Sequence, residues 1–101
     1  MSKIAVIAKL IAKEGKRDEV IAVMTEMVGA VNAEAGTEIY ALHTQADDEV
    51  TIWFYELYTD GDALTAHGTS EAMAASGPKL KGLLAGRPET IKLTPVAAKG
   101  V

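Results

Sequence analysis

One stretch constrains this chain more than any other: Val50 to Thr59, which reads Val-Thr-Ile-Trp-Phe-Tyr-Glu-Leu-Tyr-Thr. β-Branched and aromatic residues dominate it, as in a strand. Alternation sends Thr51, Trp53, Tyr55 and Leu57 to one face and Ile52, Phe54, Glu56 and Tyr58 to the other. Neither face is polar, so both have to be covered. Aromatic residues are only 5% of the chain, yet four of the five lie in this run and Tyr40 stands alone. A core built on so few rings depends on where this strand places them.

The remaining sequence supplies the neighbours. Ile4 to Ala12 is a continuous, β-branched run that reads as a strand buried on both faces, and Gly15 stops it. From Lys16 to about Ala35 the period changes. Val20, Met24, Met27, Val28, Val31 and Ala35 fall on one stripe, which predicts an amphipathic helix closed by Gly36. Thr37–Gln45 and Val50–Thr59, joined by the polar segment Ala46–Glu49, predict a β-hairpin. Asp60 or Asp62 is placed to cap a short helix ending at His67. A second helix is expected over Ser70–Ala75, a third stretch from Lys79 to Leu84 restarted by Gly77-Pro78, and a last strand over Thr90–Thr94.

The order β-α-β-β-α-β is that of an α+β, ferredoxin-like subunit with an antiparallel sheet. All 101 residues read as one domain, 1–101, with a core from about 4 to 95. Helices cover one face of such a sheet. The other, with Trp53 and Tyr55 at its centre, predicts a homodimer packed sheet on sheet.

Composition excludes several classes. Ten basic against fourteen acidic residues leave a net charge of −4, which argues against a nucleic-acid or anionic-membrane binder. With no cysteine, disulfides, thiolate catalysis and cysteine-held metals are ruled out. The apolar run near the start falls short of the roughly 20 residues a membrane span needs, so a cytoplasmic protein is expected. Dinucleotide and phosphate-loop fingerprints are absent. His43 and His67 have no partner at ligand spacing, so no metal site is expected.

A polar set remains around the aromatic strand. Glu56 sits mid-strand on the helix-covered face, where burial raises a carboxyl pKa. It reads as a general acid/base or substrate-orienting group, or else as a carboxylate occupied by backbone N–H groups. His67 reads as a base near neutral pH, or as a histidine at a helix C-terminus where positive charge suits the dipole. Tyr40, Phe54 and Tyr58 are candidate pocket walls for a flat ring, or ordinary core. Met24 and Met27 are core filler or an adaptable wall.

The segment Tyr55-Glu56-Leu57-Tyr58-Thr59-Asp60-Gly61-Asp62-Ala63-Leu64-Thr65-Ala66-His67 resembles the signature of the antibiotic biosynthesis monooxygenase-like domain. There a strand bearing Glu-x-aromatic is followed, after an acidic turn, by Ala-Leu and a histidine. Gly15 before a long helix, and Gly36 with Tyr40 four residues on, also fit. The resemblance implies a dimeric α+β barrel with a pocket between sheet and helices. It implies a cofactor-independent monooxygenase acting on a quinol or polyphenol with molecular oxygen. Catalytic roles would then fall to His67 and Glu56, with Tyr58, Tyr40 and Phe54 contacting the aromatic substrate. Ala8 and Tyr58 stand where the haem-degrading branch has asparagine and tryptophan, which speaks against haem. Isomerases of a phosphorylated diketone signal molecule resemble the motif as well. They would need cations near His67, for which Lys9, Lys79 and Lys81 are the candidates. A non-catalytic ligand-binding dimer is the third reading, expected to show a sealed apolar pocket and Glu56 bound to backbone.

Overall fold

A computed structural model describes residues 3–100; Met1, Ser2 and Val101 lie outside the described residues. Four strands, β1 (Ile4–Ile11), β2 (Thr37–Thr44), β3 (Thr51–Tyr58) and β4 (Glu89–Leu93), form one antiparallel sheet in the order β2-β3-β1-β4. Helices α1 (Arg17–Val31), α2 (Gly61–Gly68) and α3 (Glu71–Leu80) complete the ferredoxin-like arrangement. None of them is long and apolar enough to cross a membrane.

The aromatic strand is β3, between β2 and β1, and its parity sorts the sheet into two faces. Val20 and Met24 of α1 pack on Ala8, Leu10, Ala12, Ile52 and Phe54 to form the core. On the opposite face one row crosses all four strands, Ala41–Tyr55–Ile7–Ile91. Trp53, Tyr55 and Ile7 there are half-buried, whereas Ile91 and Leu93 are 58% and 40% exposed. Leu57 and Ala5 of that face are already shielded within the subunit. Within the subunit β1 is therefore closed on its helix side and only partly covered on the other.

The long helix is shorter than its periodicity predicts. It ends at Val31 because Asn32, Ala33 and Glu34 take up i→i−3 bonds to Gly29, Ala30 and Val31, which tighten the terminus and turn the chain away. Gly36 consequently closes no helix. A Cβ there would lie 2.5 Å from the Ala63 Cβ, so Gly36 allows the connection before β2 to touch α2. Gly36→Ala is expected to lower stability by about 1–3 kcal/mol, as overpacking does, read from a denaturant midpoint. An unchanged midpoint would show that α2 shifts freely.

Gly77-Pro78 likewise starts no new helix. α3 runs through it to Leu80, Lys81 to Leu83 form a turn rather than a third stretch, and Leu84 pairs with Ala12. Proline costs most in a helix interior. Here it sits in the final turn, where its carbonyl still accepts from the Lys81 N–H. At the other end, the Ser70 hydroxyl caps α3 by accepting from the Met73 N–H, 3.1 Å.

Candidate functional site

The site begins with two rows of the helix-facing sheet surface: Leu42–Phe54–Ala8–Thr90 and Tyr40–Glu56–Val6–Lys92. α1, α2 and α3 stand over them, and a cavity of about 440 Å³ lies between sheet and helices. Tyr40, Phe54, Glu56 and His67 line it together with Met24, Met27 and Met73, the three methionines inside the chain. Pro88, Thr90 and Lys92 are exposed and mark its wide mouth, whereas Phe54, Glu56 and His67 are buried. A mainly apolar space with a few convergent polar groups is the usual form of a small-molecule site.

His67 comes from the last turn of α2, a helix begun by the Asp60 carboxylate accepting from the Ala63 N–H. Although close to a helix C-terminus, the imidazole is 3% exposed. Its Nδ1 lies 2.9 Å from Oε1 of Glu34. A carboxylate there accepts a hydrogen bond from Nδ1–H, so in the neutral ring the lone pair resides on Nε2. Nε2 is buried without a protein partner. Buried polar atoms normally have one, which makes Nε2 the group left for a ligand.

Glu34 is a residue that the sequence reading missed. It belongs to the tightened connection after α1, and its Oε1 also accepts from the Thr37 hydroxyl, 2.8 Å. Thr37 faces the helices because the β2–β3 register slips between Thr37 and Ile39. This bulge puts Thr37 and Tyr40, three residues apart, on the same side. No parity count across the strand reveals that.

Glu56 and Tyr58 form a second pair. The Tyr58 hydroxyl donates to Glu56 Oε1 at 2.5 Å, and both side chains are buried. Burial raises the Glu56 pKa, against the lowering effects of the Tyr58 hydrogen bond and the nearby His67. Burial chiefly, and the Glu56 carboxylate besides, push the Tyr58 hydroxyl far up; Tyr40 is raised by burial first and then by Glu56 and Glu34. Tyr58 does not line the cavity. It lies behind Glu56, with its ring centroid 5.5 Å from that of His67. Tyr40 bridges the two ends, 4.7 Å from Phe54 and 5.0 Å from His67 between centroids.

The raised Glu56 pKa has a consequence for stability. The folded state holds this proton more tightly than the unfolded chain, so the contribution is fully present below the ordinary carboxyl pKa. It is lost as pH rises from there through the folded value. Glu56→Gln, whose amide oxygen still accepts from Tyr58, is expected to remove that segment, a slope of at most about 1.4 kcal/mol per pH unit. Unfolding curves across that window check it. Equal slopes in both proteins would refute it.

Among the described residues, no three His, Asp or Glu side chains come together to hold a metal ion. The three lysines considered for a phosphate do not reach the cavity. Lys9 lies over the Trp53 ring, Lys79 pairs with Glu26, and Lys81 lines a separate depression. Lys92 is the lysine on the cavity wall.

Comparison with known proteins agrees with this architecture. The family model for antibiotic biosynthesis monooxygenase matches residues 3–77. A candidate antibiotic biosynthesis monooxygenase from Caulobacter crescentus is 30% identical, with a TM-score of 0.89 over 95% of this chain and 92% of that one. A Mycobacterium tuberculosis protein is 26% identical, with a TM-score of 0.88 over 96% and 98%. A Nitrosomonas europaea structure reaches 0.89 over 97% and 94% at 15% identity, a likeness of fold alone. No curated protein matches the sequence. With three quarters of its length fitting the family model and its sheet, helices and β3 signature in the same order, the chain belongs to the antibiotic biosynthesis monooxygenase family.

Proposed function

We propose that this protein is a cofactor-independent monooxygenase that oxidises a quinol or polyphenol with molecular oxygen. The observation that carries the reading is the unpartnered, buried Nε2 of His67, with Nδ1 held by Glu34, on the wall of an aromatic-lined cavity. His67 takes the phenolic proton, which makes the ring electron-rich enough to pass electrons to dioxygen. For a phenol with a free para carbon the balance is one dioxygen in, one quinone and one water out. One oxygen atom ends on the ring carbon and the other leaves in the water. Tyr40 and Phe54 hold the ring flat. Glu56, kept in place by Tyr58, faces the substrate from the sheet, and the burial of Phe54, Glu56 and His67 sets the anion back from bulk water.

Oxygen uptake with a panel of quinols and polyphenols tests this. The expected result is turnover in which heavy-isotope dioxygen delivers one atom to the product; no uptake across the panel overturns it. Neither alternative has as much support. Among the described residues Lys92 alone supplies a cation on the cavity wall, and Glu56 binds a tyrosine hydroxyl rather than backbone.

The same reading includes a homodimer joined through the open sheet face around Trp53 and Tyr55. Exposed Ile91 and Leu93 beside half-buried Tyr55 and Ile7 support it, since single domains seldom leave such an apolar patch uncovered.

A further inference from the structure

The large cavity has a smaller neighbour. A groove of about 130 Å³ lies between α1 and α3 on their outer side, and two residues, Met27 and Ser76, line both spaces. They are therefore the partition between groove and cavity, one side chain thick. Both are buried. The Ser76 hydroxyl is turned back onto its own helix, donating to the Met73 carbonyl at 2.7 Å. Met27 is unbranched, with rotatable bonds that let it swing without a polar group to desolvate. Ala30, Ala72 and Ala75 flank the groove, so no large side chain fills the space between the helices. At the surface Lys79 Nζ and Glu26 Oε2 meet at 2.9 Å across it.

We infer that this groove is a second entrance to the cavity, a narrow passage past Met27 for dioxygen, separate from the wide mouth at Pro88, Thr90 and Lys92. The inference rests on the monooxygenase reading for its ligand and on the shared partition for its route. A flat substrate seated on Tyr40 and Phe54 occupies the cavity and obstructs its mouth, so a co-reactant arriving afterwards needs another way in. The groove's alanines and Met27 suit a small apolar gas, which loses no hydrogen bonds on leaving water.

Methyl-labelled protein under a few bar of dioxygen tests the passage without any turnover. Paramagnetic relaxation at the Ala30, Ala72 and Met27 methyls is expected to exceed clearly that at the exposed Ala22 and Ala74 on the same helices. Enhancement no greater than at Ala22 and Ala74 overturns the inference. Ala72→Leu, which fills the groove, is expected to reduce the effect at Ala30 while leaving it at Met24, reached through the wide mouth. An unchanged effect at Ala30 would overturn the route. Ala75→Leu, on the exposed flank, repeats the comparison should Ala72→Leu not fold. In turnover, Ala72→Leu is expected to raise the KM for dioxygen severalfold and leave the KM for the quinol unchanged; equal changes in both refute the passage. Absent turnover by the unmodified protein, with relaxation as expected, would refute the monooxygenase reading and leave the passage standing.

Discussion

Replacing His67 with alanine is expected to reduce oxygen uptake by roughly 10²–10⁴-fold, the usual contribution of a positioned general base. The reason lies in the arrangement of its two ring nitrogens. Nδ1 is engaged by Glu34 and Nε2 is free in a buried wall, so the residue has one direction in which to accept a proton. Glu34→Gln is expected to act through the same atom. An amide at that place can present either its oxygen or its NH₂ to Nδ1, and the second choice puts the lone pair on the wrong nitrogen. Uptake should fall less than in His67→Ala, and the dependence of rate on pH should move with it. A merely structural Glu34 would change stability and leave the pH profile in place. Equal uptake by His67→Ala and the unmodified protein would remove His67 from the chemistry.

The second large effect is expected at the opposite face of the same strand. Tyr55 lies in the row Ala41–Tyr55–Ile7–Ile91, at the centre of the proposed sheet-to-sheet contact. Tyr55→Glu would bury two carboxylates, one from each subunit, near one another in an apolar seam, which is costly without partners. Sedimentation should show the unmodified protein at twice the 10.6 kDa chain mass and the variant at the chain mass. Asp18→Ser, exposed in the first turn of α1 on the helix side of the sheet, serves as the control and should remain a dimer. An unmodified protein that sediments as a monomer at micromolar concentration refutes the contact.

Much of the fold was legible because its signals are local. The hairpin, the capped α2 and the closing strand follow from alternation, an acidic cap and turn residues, all acting within a few positions. Errors arose where a longer-range contact overrode the local signal. Val31 and Ala35 share a stripe, yet the chain leaves the helix after Val31, and the connection carries Glu34 to His67, 33 residues away. Gly36 carries the mark of a helix stop but answers to Ala63, whose Cβ it accommodates. Gly77-Pro78 looks like a break, while a proline in a final helical turn removes little.

The sequence by itself determined the strand and helix order, the two-faced character of β3, and the residue types beside it. Parity along β3 also assigned Phe54, Glu56 and Tyr58 to the helix side and Trp53 and Tyr55 to the other, because alternation is a property of the backbone alone. The tertiary structure alone decided which of these meet. It set Tyr58 behind Glu56, brought Glu34 to Nδ1 of His67, and left the cavity between the sheet and its three helices. Those outcomes depend on a register slip in β2 and on how the helices pack, and neither is encoded in the period of any single segment.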